Sequence, residues 1–248
     1  MADHSDHLLA AELASRAGAT LLEVRDELGR ANASMQELKD TGDERAHNLL
    51  MELLASSRPD DAVLSEEGAD DKARLDADRV WIIDPLDGTR EFGEPPRSDW
   101  AVHVALVEQS SPTAGAVALP GLGLNLNTAE APPTPPARTV TPRIICSRSR
   151  PGPAAEALVT ALDGELIRMG SAGAKTMAVV RGEADVYAHT GGQYEWDSCA
   201  PVAVAAAAGL HVSRLDGSPL LYNQDDVYLP DLLVCHKELV QPILAALG

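Results

Sequence analysis

Apolar residues recur at intervals of three and four over residues 7–28, at Leu9, Leu13, Ala17, Leu21, Val24 and Leu28. That spacing puts them on one face of a helix. Residues 43–56 repeat it with Ala46, Leu49, Leu50, Leu53 and Leu54, and the polar residues 29–42 read as the connection. The period then shortens. Ala62-Val63-Leu64 is an apolar run ending in Ser65-Glu66-Glu67, and an acidic loop follows over 68–78. Val80-Trp81-Ile82-Ile83 reads as a strand stopped by Asp84-Pro85. Residues 100–108 and 113–119 read as two strands joined by 109–112, with a further strand at 122–128.

Prolines at 132, 133, 135, 136 and 142 keep residues 131–142 out of a helix or a central strand. This stretch marks a boundary between an N-terminal half, 1–135, and a C-terminal half, 136–248. A long edge loop inside one domain is the alternative. Beyond it, strands at 143–146, 166–169, 185–188, 210–213 and 232–235 are interspersed with helices at 154–162, 175–181, 198–208 and 238–247. The expected class is α/β: an α+β first half and an α/β second half.

Composition narrows the picture. Hydrophobic residues make up 45% of the 248, but aromatics only 3%, with Phe92 the sole phenylalanine. The core is therefore built from Ala, Val, Leu and Ile. A formal net charge of −18 disfavours nucleic acid polymers and anionic membranes as partners. A small phosphorylated molecule could bind only where metal ions or a few Lys and Arg gather. Cys146, Cys199 and Cys235 are odd in number and form no CxxC pair, which fits reduced thiols and a cytoplasmic protein. Residues 1–7 do not read as a signal peptide, and no apolar run reaches the ~18 residues of a membrane span.

The chemistry concentrates where an apolar strand runs into Asp84-Pro85-Leu86-Asp87-Gly88-Thr89-Arg90-Glu91-Phe92. Hard divalent cations take oxygen ligands. Asp84 and Asp87 on a tight turn can face one centre, joined by the Leu86 carbonyl. Gly88 lets the backbone approach an anion, and the Gly88 and Thr89 amides can bind phosphate oxygens. Taken alone, the segment could be a solvated acidic turn. Three further acidic features accompany it: Ser65-Glu66-Glu67, Glu195-Trp196-Asp197-Ser198 opening an Ala-rich helix, and Asp43 just before the second helix. Asp197 and Asp43 could each be no more than a helix cap. Trp81 and Trp100 read as core.

The segments SEE, DPLDGTREF and WDSCAP, in this order and at these separations, resemble the inositol-monophosphatase-like superfamily. Residues 147–150 and 182–187 match it too, so the likeness spans nearly the whole chain. Arg90-Glu91-Phe92 is similar to the CysQ branch, the 3'-phosphoadenosine-5'-phosphate phosphatases. The resemblance implies a layered αβαβα sugar-phosphatase fold. It implies Mg²⁺, two or three ions per site, held by Glu66, Asp84, Asp87, Asp197 and the Leu86 carbonyl. It implies that Asp43, Glu66 and Thr89 activate the attacking water and that Gly88 and Thr89 hold the phosphate. Sensitivity to Li⁺, a role in sulfate assimilation and a homodimer are implied in the same way. For the second phosphate of a nucleotide the candidates are Arg150, Ser171, Lys175 and His189. Lys175 falls where the CysQ branch keeps a lysine; Ala172 stands where a serine is usual, and His189 where arginine is common.

The implied reaction is hydrolysis of the 3'-phosphate of 3'-phosphoadenosine 5'-phosphate, with its sulfated form, PAPS, as a further substrate. The alternative is an inositol monophosphatase or fructose-1,6-bisphosphatase of the same fold with broad specificity. A haloacid-dehalogenase phosphatase is rejected, because it needs D-x-D-G-T near the N-terminus and a nucleophilic first Asp. A non-catalytic Ca²⁺-binding protein is disfavoured, because no EF-hand spacing is present.

Overall fold

The structure is a computed structural model that describes residues 1–248. Helix α1 spans His4–Arg30. Asp3 accepts from the Ser5 and Asp6 amides, and Asp6 returns a bond to the Asp3 amide at 3.0 Å, closing a capping box. Helix α2 spans Met35–Ser57, with Ser34 Oγ accepting from the Glu37 amide. It therefore begins inside the stretch expected to be a connection. Leu38, Gly42, Ala46, Leu50 and Leu54 form one buried ridge at i+4 spacing. A Cβ on Gly42 would lie 2.7 Å from Cε1 of Phe92, so the glycine marks a close approach within the helix rather than its end.

The first sheet contains β1 (Ala62–Ser65), β2 (Val80–Asp87), β3 (Ala101–Glu108), β4 (Ser111–Leu119) and β5 (Leu124–Asn127), in that order. β1 and β2 are parallel and the rest antiparallel. β2 does not stop at Asp84. It runs on to Asp87, with an irregularity against β3 between the two aspartates that accommodates Pro85. The short helix α3 (Thr89–Phe92) follows.

The second sheet has the order β7-β6-β8-β10-β9. Its strands are β6 (Arg143–Ser147), β7 (Glu165–Met169), β8 (Val186–Tyr194), β9 (His211–Ser213) and β10 (Tyr228–Cys235). β6 is parallel to β7 and β8, and β10 is antiparallel to β8 and β9. Helices α4 (Pro153–Ala161), α5 (Ala172–Val180), α6 (Glu195–Ala207) and α7 (Val240–Leu247) complete the chain. The proline-rich stretch carries no regular structure and joins the two sheets.

The layers are α1/α2, first sheet, α5/α6, second sheet, α4/α7. Each gap has its own apolar core. One lies between α1/α2 and the first sheet, the largest surrounds α5 and α6, and the third lies under α4 and α7. The Ala-rich middle helices touch both sheets, so the two halves share their main core. No helix is long and apolar enough to cross a membrane.

At the entry to β2, charge is fully paired. Arg79 donates to Asp61 at 2.9 and 3.0 Å and to Asp6 at 2.9 and 3.2 Å. Arg58 adds a 2.9 Å bond to Asp6, and Trp81 Nε1 donates to Asp61 at 2.8 Å. Burial works against ionisation of Asp6, yet Arg79, the Asp3 amide and Arg58 hold its carboxyl down at about 2.

Candidate active site

β2 carries its own aspartates into the gap between the two sheets. Asp84 is 1% exposed and its Oδ1 accepts the Leu86 amide at 3.0 Å, which shapes the turn. Its Oδ2 is buried without a hydrogen bond, 3.9 Å from His103 Nδ1 and among other carboxylates that include Glu66, Asp87 and Asp197. Asp87 lies at the strand end, and Asp197 comes from the first turn of α6. The carboxylate oxygens of Asp84, Asp87 and Asp197 lie within 4.8 Å of one another. Asp197 also caps its helix, since one oxygen accepts the Tyr194 amide at 2.6 Å. One carboxyl thus takes part in both the cap and the cluster.

Glu66 stands at the end of β1, next to the cluster. The residue presents surface to solvent, but its carboxyl is hemmed in. Burial outweighs the nearness of Asp84 and, with the charges of Asp197, Asp87 and Glu67, pushes it up to about 7. Asp43 lies in the middle of α2, not at a cap, and is raised to about 7 by burial and by Glu67 and Glu66. Burial and the Asp87 charge raise Asp197 to about 6, and Asp84 is driven well above the carboxylate range by burial and Glu66.

Asp87 behaves in the opposite way. Burial is outweighed by His103, Lys175 and Ser171, which hold it at about 2. His103 sits opposite Asp84 on β3, with Nε2 3.2 Å from Asp87 Oδ2 and Nδ1 3.0 Å from the Trp196 carbonyl. Ser171 Oγ and the Gly173 amide both donate to Asp87 Oδ2. Three elements therefore fix this one carboxylate: strand β3, the start of α5 and the start of α6.

Gly88 has φ +84°, which only glycine adopts freely, and a Cβ there would press within 3.0 Å of Ser171 Cβ. Thr89 Oγ1 donates to the Leu86 carbonyl at 3.0 Å, tying the turn shut. Arg25 of α1 grips the far end of this segment, donating to the carbonyls of Glu91, Phe92 and Arg97 and lying over the rings of Phe92 and Trp100.

Beside the carboxylates lies a cavity of about 500 Å³. Asp87 and Asp197 form one wall, and Arg90, Arg148, Arg150 and Lys175 bring positive charge to it. Arg148 is committed to Glu91 at 2.7 and 3.0 Å, and Arg90 to Glu94 at 3.2 Å. The Arg150 side chain is exposed at the cavity and forms no ion pair within the protein. Lys175 is 5% exposed; its Nζ donates to the Ser171 carbonyl at 2.6 Å and lies 5.3 Å from the Tyr187 ring centre. Ser171 and His189 also line the cavity. The Ser171 hydroxyl is spent on Asp87 and on capping α5, and His189 bonds the Gly191 carbonyl at 2.7 Å. Burial, then Lys175, push His189 down to about 4, so at neutral pH it is an uncharged hydrogen-bonding ring.

Sequence reasoning missed His103, Tyr187, Gln193 and the Glu91–Arg148 pair. A histidine inside an apolar run was the one available signal, since a buried strand position tolerates it only with partners.

The comparisons agree with this architecture. A model of the inositol monophosphatase family matches residues 5–247. The 3'-phosphoadenosine 5'-phosphate phosphatase of Mycobacterium leprae is 48% identical, over 98% of this chain and 93% of that protein. Its namesake from Mycobacterium bovis is 50% identical over 94% and 89%. The crystal structure of CysQ from Bacteroides thetaiotaomicron superposes with a TM-score of 0.78 at 29% identity, covering 94% of this chain and 98% of that one. Inositol monophosphatase II of Staphylococcus aureus gives 0.83 at 19% identity over 98% and 95%, a likeness of fold. A matching family model over nearly the full length, two relatives near half identity and the converging carboxylates lead to one conclusion: the chain belongs to the inositol monophosphatase family.

Proposed function

We propose that the chain hydrolyses the 3'-phosphate of 3'-phosphoadenosine 5'-phosphate, and of PAPS, with Mg²⁺. The observation that carries this reading is the junction of the carboxylate cluster with a basic cavity. In a chain of net charge −18, four cationic side chains border one space whose wall is Asp87 and Asp197. That arrangement suits a small molecule with one phosphate at the carboxylates and a second further out. Two relatives near half identity carry the name of this activity.

The donor set fits hard cations. It is all oxygen, and Asp84 Oδ2 is buried without a partner. Glu66, Asp84, Asp87, Asp197 and the Leu86 carbonyl would hold two or three Mg²⁺. When bound, the ions would polarise the phosphoryl group and lower the pKa of water. Asp43, Glu66 and Thr89 would hold and deprotonate the attacking water. The Gly88 and Thr89 amides would take phosphate oxygens. Arg150 and Lys175 would face the second phosphate. Ser171 would act through Asp87, and His189 as a neutral hydrogen-bond partner.

A phosphate-release screen tests this. Turnover of 3'-phosphoadenosine 5'-phosphate should require Mg²⁺. Its kcat/KM should exceed that of inositol 1-phosphate and fructose 1,6-bisphosphate by on the order of 10²-fold. Equal turnover of all three would replace the nucleotidase by a broad phosphatase, and folded protein inert on all of them with Mg²⁺ would sink the reading.

A further inference from the structure

Gln193 is 3% exposed and stands on β8 opposite Leu229. Its Nε2 donates to the Tyr187 hydroxyl at 2.9 Å, across six residues of the same strand. The other end of the amide is orphaned, because Oε1 has no hydrogen-bond partner in the protein. Both residues line the cavity bounded by Asp87 and Asp197. A buried acceptor left unpaired is costly, and native proteins seldom keep one without a use. The Tyr187 bond uses the Nε2 end of the amide and leaves Oε1 as the end without a partner.

The chemistry of the free atom restricts what it can meet. A carbonyl oxygen accepts and cannot donate, so it repels a phosphate oxygen and attracts a hydroxyl or an amine. Its position restricts the choice further. Gln193 lies four residues before Asp197, and the intervening Tyr194 amide bonds the Asp197 carboxyl at 2.6 Å. Gln193 thus leads directly into the turn that presents Asp197, and it lines the same cavity as Asp87 and Asp197. The donor nearest a 3'-phosphate on a nucleotide is the hydroxyl on the adjacent sugar carbon.

We propose that Gln193 Oε1 accepts a hydrogen bond from the ribose 2'-hydroxyl of the bound nucleotide, making this residue the reader of ribose against deoxyribose. The assignment rests on the nucleotide reading above. It gives Gln193 and Tyr187 a role that neither metal binding nor phosphate binding accounts for.

The test compares kcat/KM for 3'-phosphoadenosine 5'-phosphate and its 2'-deoxy analogue, with saturating Mg²⁺, in the parent protein and in Gln193→Met. Methionine keeps the length and apolar stem but has no amide. The parent should favour the ribonucleotide by roughly tenfold, the worth of one well-made hydrogen bond. Gln193→Met should treat the two alike, by losing roughly tenfold on the ribonucleotide while the deoxy analogue changes by less than about twofold. A merely structural role would lower both substrates together and leave the preference intact, which overturns the assignment. So does a parent protein that shows no preference, a result that needs no variant to fold. A parent that hydrolyses neither nucleotide removes the nucleotide reading, and this assignment falls with it.

Discussion

The two ends of β2 hold the two richest charge clusters in the molecule, and they are built on opposite principles. At the entry, Arg79 and Arg58 neutralise Asp6 and Asp61 through short, paired hydrogen bonds. At the exit, Asp84 and Asp197 gather with Glu66 close by, and the one histidine among them, His103, lies 3.2 Å from Asp87 and 3.9 Å from Asp84. The first arrangement stabilises the folded chain. The second opposes it, and an acidic cluster kept at a cost is there to be completed from outside. Only Val80 to Ile83 separate Arg79 of the paired cluster from Asp84 of the crowded one.

The largest contrast should come from neutralising one member at each end. Asp84→Asn should lower kcat by on the order of 10³-fold or more. Without metal at neutral pH, its melting temperature should be no lower than the parent's. A markedly lower melting point would mean that the exit cluster also holds the fold. Arg79→Met should do the reverse. It leaves Asp6 with Arg58 and Asp61 with only the Trp81 indole, and should cost about 2–3 kcal/mol of stability, read by denaturant unfolding. Its kcat per folded molecule should stay within about twofold. A large loss of kcat in a fully folded Arg79→Met would break the division of labour.

The finest distinction is in pH. Asp6 moves from an ordinary 3.8 to about 2, so its contribution is complete above pH ~4 and is lost as pH falls towards 2. Asp197 and Glu66 move up, from 3.8 to about 6 and from 4.5 to about 7. Their neutral forms favour the fold below pH ~4, and that contribution is lost as pH rises through 6 and 7. Melting temperatures in a chelator should therefore decline on both sides of a maximum in mild acid, by roughly 5 °C on the neutral side. Mg²⁺ or Asp197→Asn should flatten the neutral side alone, and Asp6→Asn the acidic side alone. A single variant that flattened both limbs would show the clusters to be coupled.

The carboxylates were legible in the sequence because each follows a strongly apolar strand or opens an apolar helix, and the alternation of the second half was legible for the same reason. The boundaries that differ share a cause, which is that elements run on through polar, glycine- or proline-containing stretches where the apolar pattern ends. Gly42 lies inside α2 because Phe92 occupies the room a side chain would need. Pro85 lies inside β2 because the irregularity between Asp84 and Asp87 relieves it of a ladder bond. Gly191 and Gly192 lie inside β8, so that strand and β10 run further than their apolar stretches suggested. What no local pattern could show is pairing across the chain. His103 on Asp87 and Arg148 on Glu91 each join residues whose meeting depends on strand order and register.

Arg25 takes that long-range dependence furthest. It belongs to the first helix, yet its guanidinium holds the peptide carbonyls that follow the aspartate turn. A shortened chain without α1 would keep Asp84, Asp87 and Asp197 in its sequence and lose the brace on the segment that follows the first two. The short helix beyond the turn is thus held by a side chain 66 and 67 residues earlier in the chain, so disorder in α1 would spread to a segment that no local contact of α1 suggests.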